Sequence, residues 1–292
     1  MRNKALSRHT PTLILFALLL AAGYTGSQAW GDASGTSGPA SASSPAIATT
    51  QPSPGNMSAP AASSNAALVI DPQVRAVLNR VCSELSSART ITYHAEINFD
   101  SVLPSGVKLQ YAAAMDTAIK RPDHLAIDYK GDLGAKAIWY DGRTLTIFDP
   151  VYRVYASIAA PGSIDAMFKQ VAEEKNLSIP AEGLDFNDEC GRAFRDIQRG
   201  KFVGINDVGG VDCYHLAFIQ GEADWQLWVD HNGRPLPRKI VITYKKLLSQ
   251  PQWSAVFSNW RLNQVLPASL FQPKIPQGAV RASFMGPQEK RR

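Results

Sequence analysis

Lys120 to Ala160 reads KRPDHLAIDYKGDLGAKAIWYDGRTLTIFDPVYRVYASIAA, and this stretch decides the fold. Leu125, Ile127 and Tyr129 follow an Arg121-Pro122 step and alternate with Asp128 and Lys130. Pro122 restricts Arg121 to extended geometry. Ala137–Tyr140 and Thr144–Phe148 flank Asp141-Gly142, a strong hairpin signal because glycine accepts the positive φ of a tight turn. A second hairpin turns near Asp149-Pro150, after which Tyr152, Val154, Ala156 and Ile158 share a face. Strict alternation gives each strand one apolar and one wet face, the mark of an antiparallel meander.

The same period runs outward from this stretch. Ile91, Tyr93, Ala95, Ile97 and Phe99 alternate with polar neighbours, and Val107, Leu109, Tyr111, Ala113, Met115 and Ile119 continue in a long strand. Leu103-Pro104-Ser105-Gly106 is the turn between them. Upstream the period is helical: Asp71 is a plausible N-cap, Pro72 suits the first helical position, and Val74, Val77, Leu78, Val81 and Leu85 form one stripe.

Downstream, residues 161 to 200 interrupt the sheet. Ile164, Met167, Phe168 and Val171 lie at helical spacing after Ser163, and Cys190, Ala193, Phe194 and Ile197 predict a second helix ending at Gly200. Strands resume over Lys201–Asp207, Val211–Gln220, Trp225–Asp230, Arg238–Lys246 and Gln252–Asn263, with turns at Gly209-Gly210 and His231-Asn232-Gly233. The expected fold is mainly β (α+β): about ten strands in a strongly curved antiparallel sheet or incomplete β-barrel, with an N-terminal helix and a short helical lid.

The ends of the chain differ in kind. Arg2, Lys4 and Arg8 precede an apolar run from Leu13 to Ala22, and Ser27-Gln28-Ala29 supplies small residues for a signal peptidase. The run is shorter than the roughly 20 residues a membrane span needs. Residues 1–29 therefore read as a signal peptide, with an exported, soluble product and no transmembrane span after cleavage. Residues 30–66 are almost entirely Gly, Ala, Ser, Thr and Pro, the composition of a flexible linker. One domain is expected over residues 67–286, and a basic tail over 287–292. The formal charge of +5 is concentrated in the ends, so the folded part is near neutral and lacks the footprint of a nucleic-acid binder.

No motif of a hydrolase elbow, zinc protease, phosphate loop or dinucleotide fold occurs in the chain. His94 falls on the wet face of a strand, while His124 and His231 fall in turns, isolated from any evident partner. Cys213 and His215 share a strand face, but two ligands do not make a metal site. No catalytic residue, metal or cofactor is expected. Of Cys82, Cys190 and Cys213, the first lies near the apolar stripe of the first helix and reads as a buried free thiol. The other two form the disulfide candidate, pinning lid to sheet in an oxidising compartment. Trp225 and Trp228 are three apart and point to opposite faces. The strand tryptophans serve either as ordinary core or as the lining of an apolar pocket.

The Arg-Pro strand and the Asp-Gly-x-x-Leu-x-x-Phe-Asp-Pro hairpin of residues 141–150 resemble the signature of LolA/LolB-like lipoprotein carriers. The resemblance implies a curved sheet that holds a hydrophobic ligand. It also implies that Arg121 hydrogen-bonds a lid and keeps the cavity closed. A longer resemblance, to the exported domain-of-unknown-function family 2092, rests on three segments: Val203 to Phe218, Asp224-Trp225-Gln226-Leu227-Trp228 and Pro235-Leu236-Pro237-Arg238-Lys239. Together they imply a monomeric, non-enzymatic periplasmic protein that binds an acyl chain, lipid or lipidated protein. Arg121, Trp139, Trp225 and Phe168 are the candidates for lining and lid gate. A sensor or protein-interaction module with an envelope protein partner is the alternative, and a hydrolase the third class.

Overall fold

The computed structural model describes residues 69–160, 162–175 and 197–283. Among the described residues two α-helices and thirteen strands follow one another. They are β1 (Val69–Ile70), α1 (Pro72–Ser86), β2 (Thr90–Val102), β3 (Lys108–Lys120), β4 (His124–Gly131), β5 (Gly134–Tyr140), β6 (Thr144–Asp149), β7 (Val154–Ala159), α2 (Ile164–Lys175), β8 (Arg199–Val208), β9 (Val211–Ile219), β10 (Ala223–Asp230), β11 (Pro237–Tyr244), β12 (Gln252–Leu262) and β13 (Val280–Arg281). All thirteen strands belong to one curved sheet in the order β1-β8-β9-β10-β11-β12-β2-β3-β4-β5-β6-β7-β13. The sheet is open, with β1 and β13 at its two ends.

The local signals act as their chemistry demands. Asp71 accepts the Gln73 amide at 2.8 Å and caps α1, with Pro72 opening the helix. Asp141 accepts the amides of Arg143 and Thr144, and Gly142 adopts φ +86° between them. Asp149 does the same for Val151 and Tyr152. Gly131 is required by close approach: a Cβ there would meet the Ala113 Cβ at 2.6 Å.

Two expectations change. The sheet has thirteen strands rather than about ten, because the two-residue strands β1 and β13 pair in parallel with β8 and β7 and are too short to show a period. The strand after the insertion begins at Arg199, so Gly200 lies inside β8 opposite Ile70 rather than ending a helix. The helix expected around Cys190 falls outside the described residues.

The two faces of the sheet are both covered, by different parts of the chain. The inner face carries the odd-numbered residues of β2 and their cross-strand partners, against which α1 and α2 pack. Val74, Val77, Leu78, Val81 and Leu85 of α1 are all buried there. At about 1.5–3 kcal/mol each, they contribute on the order of 10 kcal/mol before the entropy of ordering the helix is subtracted. The outer face is crossed by the segment after β12, where Phe271, fully buried, packs with Ala118, Ala126, Trp139 and Phe148. In β12, Ser258 opposes His94 and Arg261 opposes Thr92, so two residues face Tyr93 alone. This bulge, with Asn259 at φ +55°, sets the Trp260 ring 4.7 Å from that of Tyr93.

Candidate functional site

Arg121 lies where the sheet meets both helices. Its Nη1 donates to the carbonyl oxygens of Leu85 at 2.6 Å and Ala88 at 2.8 Å, at the end of α1. A guanidinium against the exposed carbonyls of a helix C-terminus is doubly favoured, by hydrogen bonding and by the helix dipole. The next carbonyl, of Pro122, accepts the Ile164 amide that begins α2. One dipeptide between β3 and β4 therefore anchors the end of one covering helix and the start of the other. The Tyr140 hydroxyl lies 2.7 Å from both the Ala160 and Gly162 carbonyl oxygens and fastens the approach to α2.

Between these anchors the inner face is apolar. Trp225 stacks on Phe218 with ring centroids 3.8 Å apart, and Phe168 of α2 is buried in the same cluster. Among the phenols that interrupt it, Tyr129 on β4 and Tyr244 on β11 are 3% and 2% exposed, and their hydroxyls have no hydrogen-bond partner. Burial pushes both up to about 12, so each stays a neutral donor at physiological pH. Buried hydroxyls without partners are uncommon and mark places where a donor awaits an acceptor.

Trp139 is not part of this lining. Ile138 and Tyr140 face inward, so Trp139 faces outward with Ala126 and Thr146 beside it. It forms the floor of a groove of about 580 Å³ on the outer face, with His94, Asp116, Asp128, Arg261 and Lys274 among the lining residues. His94 has the partners that sequence did not show: Nδ1 lies 2.8 Å from Asp116 and Nε2 2.9 Å from Glu96. The hydrogen bonds to Glu96 and then Asp116 raise its pKa, against a smaller opposing effect of burial. Asp116 and Asp128 stand opposite each other in the β3–β4 register, a like-charge pair that a protonated His94 relieves.

The expected Cys190–Cys213 bridge is not formed. Cys213 is a free, buried thiol, whereas Cys82, expected to be free, is disulfide-bonded. The reason is the parity of β9: Tyr214, Leu216 and Phe218 face α1, so Cys213 points to the other side of the sheet from the helices. There it meets Asp230 and Arg238, and burial followed by the Asp230 charge pushes its thiol up to about 11. Burial opposes ionisation of Asp230, but the Arg238 guanidinium and the Gly233 amide outweigh it and hold the carboxyl below its usual range. His215 shares that outer face, stacked on Trp228 at 4.0 Å and bonded to Asn206 and Gln226. Among the described residues no group of three or more His, Cys, Asp or Glu is placed to hold a metal ion.

Residues 75–285 match the family described as "Predicted periplasmic protein (DUF2092)". The chain belongs to this family. No curated protein sequence matches the chain. Among solved structures, this DUF2092 member is similar to LprF from Mycobacterium bovis, at 12% identity over 72% of this chain and 98% of that one, with a TM-score of 0.43. It is also similar to the lipoprotein LppX from Mycobacterium tuberculosis, at 10% identity over 68% and 99% of the two chains, with a TM-score of 0.40. A LolA superfamily protein from Nitrosomonas europaea aligns at 13% identity over 68% and 97%, with a TM-score of 0.32. No helix among the described residues is long and apolar enough to cross a membrane.

Proposed function

We propose that this DUF2092 protein is a monomeric, non-enzymatic periplasmic binding protein, exported by residues 1–29, that holds a hydrophobic ligand against the inner face of its open sheet. The ligand class is an acyl chain, a lipid or a lipidated protein. The observation that carries the reading is a continuous apolar face under two helices, interrupted by the unpartnered phenols of Tyr129 and Tyr244. Hydrocarbon buried there gains about 0.8 kcal/mol per CH₂. A neutral ester or amide carbonyl suits the two phenol donors. Because α1 and α2 already bury this face, an acyl chain enters by lifting α1, and the two Arg121 bonds resist that motion.

The test is native mass spectrometry of the protein purified from periplasm, with organic extraction of what it carries. A discrete added mass that extracts as lipid supports the reading, as does uptake of a spin-labelled fatty acid that is faster in Arg121→Leu. Protein that carries no amphiphile and takes none up sinks it. A stoichiometric protein partner without lipid would favour the envelope-sensor alternative, for which the polar, charged groove around His94 and Asp128 offers a surface.

A further inference from the structure

The exposed apolar side chains of this protein are not scattered. Hairpins β2–β3, β4–β5, β6–β7, β9–β10 and β11–β12 all turn at one end of the sheet, because each joins neighbouring antiparallel strands. Ser249 at the last of these turns donates to the Gly106 carbonyl at the first, at 2.8 Å, so adjacent tips are fastened together. Of the fourteen large apolar side chains exposed among the described residues, nine stand at this rim. The foremost are Tyr152 (76% exposed), Val151 (63%), Leu248 (63%), Val107 (53%), Leu133 (41%) and Leu247 (40%). The turns at the opposite rim, residues 121–123, 141–143, 209–210 and 231–236, carry none of the fourteen, and the one large exposed apolar side chain at that end is Val265, just beyond β12. Concentration of exposed hydrocarbon at one end of a protein marks an interaction surface.

The charges around the tips narrow the choice of occupant. Lys108 pairs with Asp100 at 3.3 Å, Lys245 with Asp224 at 2.7 Å, Lys136 with Asp149 and Lys246 with Glu222. Lys130, Asp132 and Arg153 at the same tips add two cations and one carboxylate, so the collar is close to neutral and offers no strong field for an anionic partner. The apolar groups project from four separate turns with polar backbone between them. A rigid protein would need a separate socket for each tip, whereas the fluid boundary of a bilayer admits each one independently. We propose that this rim docks on a lipid bilayer, with the tips of β2–β3, β4–β5, β6–β7 and β11–β12 inserted at the zwitterionic headgroup boundary. Tyr129 and Tyr244 lie on the inner face near this same end, on β4 close to its turn and at the last residue of β11. Resting on the function proposed above, docking here lets a hydrophobic ligand pass between bilayer and inner face without crossing open water.

The experiment is flotation of the periplasm-purified protein with phosphatidylcholine vesicles. Wild type should float with them, and salt at 0.5 M, about three times physiological ionic strength, should change little because the collar is close to neutral. Tyr152→Asp and Leu248→Asp should each weaken partitioning about ten- to a hundredfold, from the loss of one inserted apolar side chain and the burial of a charge. Val203→Asp, at an exposed position of β8 beyond its pairing with β1, should have little effect. These tips are solvent-exposed, so the variants are expected to fold, and Tyr152→Trp gives a second readout through a blue shift of the new indole on vesicle addition. Absence of flotation by wild type overturns the proposal. So does flotation abolished by salt but indifferent to the rim variants, or loss of a purified protein partner from the rim variants while vesicles are ignored. Extractable lipid in a preparation that does not float would leave the ligand-binding reading standing and the docking proposal refuted.

Discussion

Replacing Arg121 by Leu tests the joint between sheet and covering helices. Nη1 makes two charge-assisted bonds to carbonyls whose residues, Leu85 and Ala88, are 0% and 1% exposed. A hydrogen bond to a charged group contributes about 1.5–3 kcal/mol, and removing the donor leaves buried acceptors unsatisfied at about 1–3 kcal/mol. The favourable placement at a helix C-terminus adds about 0.3–1 kcal/mol. The two bonds share one nitrogen and do not add fully, so the expected loss is about 2–4 kcal/mol. At a urea m-value of about 2 kcal/mol/M the midpoint falls by roughly 1–2 M. Amide exchange should accelerate in α1 more than in the central hairpin β2–β3, because the joint opens locally. Arg121→Lys, which keeps a charged donor, should lose less than half as much. A midpoint that falls by less than about 0.3 M, or exchange that quickens uniformly, would refute the claim that Arg121 holds α1 to the sheet.

The outer face gives further outcomes. Phe271→Ala removes a fully buried ring beneath the C-terminal segment; a loss of about 3–5 kcal/mol is expected, with new proteolytic cleavage between Leu262 and Val280. His94 is raised above its unfolded value near 6.5, so its contribution is present below that pH and fades as pH rises through the folded value. His94→Gln should therefore lower the thermal midpoint at pH 5.5 and leave it nearly unchanged at pH 9. Asp230 is held low, so its contribution is present above about pH 4 and is lost on acidification through its folded value. Asp230→Asn should cost stability at pH 7, with the difference from wild type shrinking in acid. Cys213, buried and pushed up to about 11, should react with a thiol reagent at pH 8 only after urea unfolds the chain. Tyr244→Phe deletes a hydroxyl without a partner and should leave the urea midpoint unchanged or slightly raised.

The meander was legible because strand period and turn chemistry are local. Side chains two apart share a face whatever the strand pairs with, and Asp141-Gly142 or Asp71-Pro72 act within a few residues of themselves. The family resemblance pointed to Arg121 as a residue that bonds a helical lid, whereas the two Nη1 bonds go to Leu85 and Ala88 at the C-terminal end of α1, a partner the resemblance did not name.

The side of the sheet that each parity faces was not legible. Ile138 and Tyr140 against Ala137 and Trp139 are two apolar sets on one strand. Either could face the helices, and only the return of Phe271 over the outer face explains why both are apolar. The same ambiguity misassigned Cys213, whose neighbours Tyr214 and Leu216 take the helix side. His94 has two partners, Glu96 two residues along β2 and Asp116 on β3, and Asp116 meets it only once the β2–β3 register is set. The gathering of Tyr152, Leu133, Val107 and Leu248 at one rim likewise depends on strand order. Sequence by itself determined the strands, their turns and the two-faced pattern, since these follow from local sterics and periodicity. Only the tertiary structure decided which face is inner, which cysteine is free and where the exposed hydrocarbon collects, since those depend on contacts between residues far apart in the chain.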